Sequence, residues 1–458
     1  MTPRALAAGL GLTVLLCWWV AYSEIRTTTT EITCTSLPIG VLFLLFCVCC
    51  GNLVVNRLRP RWALSGPELA VIYILMAVGS AVSGIGLIGF MTPSLAAPAY
   101  FGAESAGWDA FQGALKPWLV PTDRDALRTF FAGNSTLYDW RNFQPWAVPL
   151  TVWGLFLVLL FGTTLCLCTL LRRQWVQRER LAFPIVELPL EMTARRGGFR
   201  ALLANRAFQI GFLIPCLLQS LNSLNYLYPS LPALPVKPTG NGPLDLGPLF
   251  KDRPWNSLGY FPLGFHPSTI GLSFLLAVEV SFSCWFFYLL RKLEVVFCVA
   301  VGWGEAGTLG ASAGWPRFQE QGAGAWLAIG LTSLWLARSS LGEAVRNALR
   351  PPARPDPAAP MSDRAAVVGF LAGGAGLIAF AMLCGMRFST AALLMGGFLV
   401  LMVALCRLRA EAGMAWHFGP WLKPYQLPVR FLGTHALEPA ELVGLANHGW
   451  YNLEYRST

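Results

Sequence analysis

The sequence predicts an all-α, polytopic integral membrane protein with about nine or ten transmembrane helices, some of them broken or re-entrant. Three observations carry that prediction. The 458-residue chain is 55% hydrophobic and only 13% charged, where a soluble domain carries about 25% charged residues. Apolar runs of about 20 residues recur along it, the length that crosses the roughly 30 Å hydrocarbon core. Basic residues gather between those runs, so the formal excess of +10 reads as a positive-inside topology signal. Membrane lipids are expected partners; nucleic acid is not.

The first apolar run, Ala5 to Tyr22, follows Arg4 and ends in Trp18 and Trp19 with no A-x-A cleavage site, so it reads as a retained helix. Leu37 to Val55 is the second span, and Arg57, Arg59 and Arg61 mark its inner end. The third starts at Ser65 with a capping box to Glu68 and Pro67 in the first turn, and runs to about Phe90. Its small residues include Gly84, Gly86 and Gly89. They spell a dinucleotide-type G-x-G-x-x-G string, but no strand precedes it and it lies within a span. Close helix packing is the plainer reading and a broken helix lining a substrate path the sharper one.

Trp146 to Leu171 is 26 residues without a charge, followed by Arg172, Arg173, Arg178 and Arg180. That change fixes an inner end. A fifth span covers roughly Ala207 to Tyr226, and a sixth Ser268 to Leu290, closed inside by Arg291 and Lys292. Val295 to Ala313, Gly-rich around Glu305, and the short run Ala323 to Ala337 make a there-and-back excursion. Ala365 to Gly385 and Thr390 to Cys406 form a hairpin, with Gly369, Gly373, Gly376, Gly396 and Gly397 permitting close contact. The chain thus divides into a transmembrane domain, 1–409, and a cytoplasmic or interfacial segment, 410–458. Outer loops fall at 91–144 and 227–267, an inner loop at 172–206 and an inner linker at 338–364. Both termini are expected inside.

Glu279 is the leading candidate for chemistry, because a carboxylate near mid-membrane costs on the order of 2.5–3.5 kcal/mol on insertion scales. Ser283 lies four residues on, placed to hydrogen-bond to it. The functional reading is an ion-coupling acid on a polar path, and the alternative is a structural carboxylate bonded to a neighbouring helix. Glu187 and Glu191 share a helical face between Pro184 and Pro189. They either present carboxylates to a substrate from a re-entrant segment or belong to an amphipathic surface helix. Asp123-Arg124-Asp125 is a DxD string that also reads as a helix start from Thr122. Asn134-Ser135-Thr136 is a glycosylation sequon. Of twelve cysteines only Cys34 falls in a loop, and the four histidines, His266, His417, His435 and His448, match no ligand spacing. No metal and no cofactor is expected.

Four stretches also carry a resemblance: SGPELAVIYILMAVGSAVSGIGLIGF, RRQWVQRERLAFPIVELPLEM, FHPSTIGLSFLLAVEVSFSCWFFYLL and RLRAEAGMAW. Together they resemble an uncharacterised family of bacterial multi-spanning proteins, of the kind common in planctomycetes. Through Arg180 to Pro184 and the Gly-rich third span the chain is distantly similar to the oligopeptide transporter family. Ile185 stands where that family has Gly, and its NPDG and KIPPR strings are missing. The resemblance implies further helices beyond Thr458.

The expected function is a secondary transporter of the cytoplasmic membrane, proton-coupled, for a small polar solute such as a peptide, with homo-oligomers allowed. Glu279, Ser283, Glu187 and Glu191 would serve substrate or ion, and Arg180, Pro184, Gly84, Gly86 and Gly89 the pathway or gate. One alternative is a membrane-embedded transferase using Asp123 and Asp125 as metal ligands. The other is a non-catalytic scaffold.

Overall fold

The computed structural model describes residues 2–27, 32, 33, 35, 37–102, 108–133, 135–194, 198–236, 244–303, 316–350, 356, 359–413, 419 and 423–451. Cys34, Asn134, Glu305 and His417 lie outside the described residues. Among those described the protein is helical, with a single isolated bridge, Asp245 to Pro262, and no strand.

In chain order the helices begin with Pro3–Val20 (α1), prolonged by a π-turn to Arg26, then Ile39–Leu58 (α2) and Gly66–Ser83 (α3). Gly84 is extended and breaks the third helix, which resumes as a π-turn, Ile85–Gly89, and Phe90–Phe101 (α4). Short helices Asp109–Gln112 (α5) and Arg124–Ala132 (α6) precede Trp140–Arg172 (α7), itself prolonged by a π-turn to Arg178. Pro184–Thr193 (α8), Gly198–Ala204 (α9) and Arg206–Leu227 (α10) follow. Next come Pro267–Ser273 (α11), Val278–Ala300 (α12) and Phe318–Leu349 (α13). Asp363–Leu383 (α14), Phe388–Ala412 (α15), Gln426–Leu432 (α16) and Pro439–Asn447 (α17) complete the set. Several starts have a visible cause: Asp123, Asp139, Asn205 and Ser362 each accept a hydrogen bond from a first-turn amide.

Among the described residues seven helical stretches are long and apolar enough to cross a membrane: Pro3–Arg26, Ile39–Leu58, Gly66–Phe101, Trp140–Arg178, Arg206–Leu227, Asp363–Leu383 and Phe388–Ala412. The chain is a multi-pass helical membrane protein. The larger expected count included α12 and α13. These do not qualify, because Glu279, Arg291, Lys292 and Glu294 interrupt α12 and α13 is polar at both ends.

The chain forms two compact units. The first comprises Met1–Ala81, Ala182–Gly322 and Leu408–His417; the second Val82–Leu181, Ala323–Arg407 and Phe418–Thr458.

In the first unit Leu16, Val20, Val41, Leu45, Cys49, Leu69, Ile72 and Met76 pack α1, α2 and α3 together, closed by Met192 of α8 and Phe199 of α9. Glu68 ties the helix starts. It is 5% exposed and takes the Ser65 amide at 2.8 Å, the Thr2 hydroxyl at 2.5 Å, and Arg4 Nε and Nη2 at 2.9 and 3.1 Å. Half of the expected capping box is therefore present, the Glu68 carboxylate on the Ser65 amide, while the Ser65 hydroxyl donates to that carboxylate and Arg4, 64 residues away, adds to it. Gly79 lies so close to Thr13 of α1 that a Cβ would overlap it.

The sixth span departs from expectation. It is not one helix over 268–290: Phe274 to Ala277 separate α11 from α12. Lys292, expected to close that span on the inside, is a buried group. It is 8% exposed, and its ammonium donates at 2.7 Å to the carbonyls of both Leu258 and Tyr260. It also stands 5.6 and 5.8 Å from the ring centres of Phe261 and Tyr288. Lys292 thus holds the Pro-rich segment that charge counting had placed on the opposite side. Charge counting fails here because a buried amine bonded to carbonyls is a structural group, not a topology signal.

In the second unit the most extensive helix pair is α7 with α14. Gly369, Gly373 and Gly376 approach Cys166, Thr163 and Leu159. The glycines expected to close an α14–α15 hairpin instead seat α14 on α7, because their common face points that way. The arginines ending α7 are all engaged. Arg172 reaches Asp356 at 3.2 Å, Arg173 reaches Asp363 at 3.3 Å, and Arg178 reaches Glu343 at 3.0 Å, while Arg407 pairs with Glu179 at 2.5 Å.

Residues 91–144, expected as an outer loop, hold most of α4 and all of α5 and α6. The tail packs into the second unit. Trp450 and Tyr451 are at most 2% exposed and share one core with Trp153, Phe156, Phe398 and Leu377. Glu441 anchors it, 1% exposed, accepting from Arg387 Nε and Nη2 at 3.0 and 2.6 Å, the Thr390 hydroxyl at 2.7 Å and the Glu438 amide at 3.1 Å. Burial would raise its pKa, but these donors outweigh that effect and hold it at about 2, below the ordinary 4.5.

Two outcomes are expected. Gly373→Leu drives a side chain into Thr163, whose hydroxyl is fixed on the Leu159 carbonyl. It should destabilise the detergent-solubilised protein by about 1–3 kcal/mol, whereas Gly374→Leu, with nothing within 4 Å of its Cβ, should leave the thermal midpoint unchanged. Because the folded pKa of Glu441 is depressed, its contribution is complete above about 4.5 and is lost as pH falls toward about 2. Glu441→Gln should lower the midpoint at neutral pH and flatten that acid limb, read from melts across pH.

Candidate functional site

The first unit carries an open recess of about 550 Å³, lined by Glu187, Leu188, Leu190, Glu191 and Leu275. Sequence places Glu187 and Glu191 one turn apart, and α8 turns both outward while burying Pro184, Pro189, Met192 and Thr193. Pro184 opens the helix at a position where its missing amide hydrogen costs nothing. Leu275 comes from the unwound residues between α11 and α12. Two carboxylates thus face one opening with leucine walls, a surface that favours a cationic or amine-bearing solute.

The approach to α8 is unusual. Arg180 and Phe183 have φ of 53° and 48°, left-handed values for non-glycine residues, costing roughly 1–2 kcal/mol each. Within the first unit the Phe183 amide donates to the Ala410 carbonyl at 2.8 Å. Gly413 sits so close to Pro184 that a Cβ would overlap the ring. The R-L-A-F-P and R-A-E-A-G strings, more than 200 residues apart, therefore meet, and the Gly at 413 is required both by contact and by its φ of 52°.

The remaining sequence candidates are placed as follows. Glu279 is the second residue of α12 and exposed, directly after the break, and it is not among the residues lining the recess. The mid-helix position expected for it is corrected by that break, and a carboxylate there is favoured by the helix dipole. Ser283 donates to the Glu279 backbone carbonyl at 2.7 Å, not to its carboxylate. Arg180 is exposed and belongs to the second unit, as do Gly84, Gly86 and Gly89, which form the break between α3 and α4. Asp123 Oδ1 is occupied by the Ala126 amide at 2.8 Å. It caps α6 in place of the expected Thr122. Among the described residues no group of three or more His, Cys, Asp or Glu side chains is arranged to hold a metal.

Sequence reasoning passed over a cluster in the second unit. Asn447, His448, Trp450 and Tyr451 are each at most 2% exposed. The His448 ring centre lies 5.3 Å from Trp153, 5.7 Å from Phe156, 6.0 Å from Phe380 and 5.7 Å from Tyr451. His448 Nδ1 bonds the Gly444 carbonyl at 2.7 Å, so it carries the proton and the neutral ring leaves Nε2 bare. Burial pushes its pKa down to about 4, and burial, with the Cys384 thiol, pushes the Tyr451 phenol up. His448 Nε2, both amide atoms of Asn447, Trp450 Nε1 and Tyr451 Oη have no protein hydrogen-bond partner among the described residues. An unpaired buried polar group costs roughly 1–3 kcal/mol. By contrast Trp153 Nε1, in the same cluster, donates to Leu119 at 2.9 Å. The only signal in sequence is the polar–aromatic density of N-H-G-W-Y directly after an apolar helix.

The comparisons with known proteins fit this absence of a familiar site. No curated protein matches the chain, and no solved structure does. One family model does match, the Family of unknown function (DUF6785), along residues 1–458. Since that match takes in every helix, break and motif described above, the chain belongs to the Family of unknown function (DUF6785).

Proposed function

We propose that the protein is a secondary transporter of the cytoplasmic membrane, proton-coupled, that moves a small polar solute such as a peptide. The observation that carries this reading is the recess where the α8 carboxylates face the unwound residues between α11 and α12. The turn after α11 bonds the Ile270, Leu272 and Ser273 carbonyls, so the break offers chiefly the first-turn amides of α12, and carriers use such helix ends to hold solute groups. Glu187 and Glu191 would take the amine of the solute, and Glu279, at the α12 terminus, the coupling proton. Pro184 opens α8, Arg180 and Pro184 would serve the pathway or gate, and a peptide is the solute we assign to it. The Gly84 break, with Gly86 and Gly89, gives the second unit a discontinuity of its own. The transferase alternative loses support because Asp123 is spent on a helix cap.

The test is uptake of a panel of labelled di- and tripeptides into proteoliposomes under an imposed inward proton gradient. Wild type should accumulate at least one of them above protein-free vesicles. Glu191→Gln should cut that uptake about tenfold or more, the scale of losing one charge-assisted hydrogen bond, and Glu279→Gln should abolish its dependence on the gradient. Uptake by wild type no greater than in protein-free vesicles for every peptide would sink the reading.

A further inference from the structure

We propose that Asn447, His448, Trp450 and Tyr451 form an internal water-binding site in the second unit, with His448 Nε2 as its acceptor. Five polar atoms lie within one short stretch of chain, each buried and each without a protein partner among the described residues. They are complementary in kind. Trp450 Nε1, Tyr451 Oη and Asn447 Nδ2 can donate; His448 Nε2, Asn447 Oδ1 and Tyr451 Oη can accept. Buried donors and acceptors left bare are costly, and a small group able to donate and accept at once would satisfy both kinds.

Size and charge select that group. The rings around the cluster pack closely, edge to face with centres 5.1 Å apart for Trp450 and Tyr451, 5.3 Å for Trp153 and Trp450 and 5.5 Å for Phe398 and Tyr451, and tilted at 5.1 Å for Phe156 and Tyr451. Such packing leaves no room for an organic solute. Among the described residues, Glu441, one helix turn and more before the cluster, is already taken up by Arg387, Thr390 and Glu438, so its charge is not offered to an ion. Water fits both conditions and needs two to four polar partners of the kind gathered here. The tautomer fixed by the Gly444 carbonyl leaves Nε2 as a bare acceptor for such a water. This inference stands on the second unit alone and does not depend on transport.

Hydroxyl-radical footprinting of the full-length protein in nanodiscs tests it, because radicals made from bound water oxidise the side chains beside it. Trp450 and Tyr451 should label at rates approaching that of the fully exposed Tyr138, while Trp146, 3% exposed and outside the cluster, stays slow. Labelling of Trp450 and Tyr451 as slow as Trp146 overturns the proposal. A second reading comes from Tyr451→Phe. Removing a hydroxyl bonded to water should lower the thermal midpoint, whereas removing one that is truly unpaired raises it or leaves it unchanged. Either of the latter results also overturns the proposal.

Discussion

A chain that folds in hydrocarbon has to satisfy its polar groups from within itself, because no solvent is there to do so. That constraint shapes both units. In the first, Glu68 collects Arg4, Thr2 and Ser65 and so fixes where α1 and α3 begin. Glu24, 1% exposed, takes the Thr33 amide and hydroxyl at 2.6 and 2.7 Å and closes the turn after α1. In the second, Glu441 collects Arg387 and Thr390 and binds the tail to the start of α15. Glu68 and Glu441 are therefore joints between segments distant in sequence, and Glu24 a local one. Removing one partner would strand a charge, which costs far more than the pair contributes while intact.

Glycine supplies the complementary device. Without a driving force between apolar surfaces in lipid, helices adhere through close van der Waals contact, and small residues allow it. Gly79 brings α3 onto α1, and Gly373 brings α14 onto α7. The two mechanisms meet in the tail. Gly444 lies against Cys384 and Met386, Glu441 fixes the register, and the next turn carries His448 and Tyr451 into an aromatic core. Without the Glu441 joint there would be nothing to hold that polar turn among phenylalanines.

The breaks matter as much as the helices. Gly84, and the residues between α11 and α12, interrupt helices that composition alone would draw straight through. At Gly84 the cause is legible, since glycine is a poor helix former. At Phe274 to Ala277 it is not: leucine and alanine are strong helix formers, and nothing in the local sequence marks the interruption. The effect is to move Glu279 from the middle of an expected span to the start of α12.

Much of this molecule could be read from its letters. Hydrophobic run length gave the membrane class and all seven long apolar helices, because the bilayer imposes a fixed thickness that every crossing has to match. The Ser65–Glu68 cap, the α8 face bearing Glu187 and Glu191, and the glycine-rich contacts of α14 were legible too, since they depend on spacing along one helix. Partners were not. That Lys292 holds two carbonyls, that Gly373 faces α7 and not α15, that Phe183 meets Ala410, and that His448 is buried among rings are all decided by which segments the fold brings together. A linear pattern states what each face offers. Only the packed structure, where chain entropy has been overcome and distant faces compete for the same space, determines what each face meets.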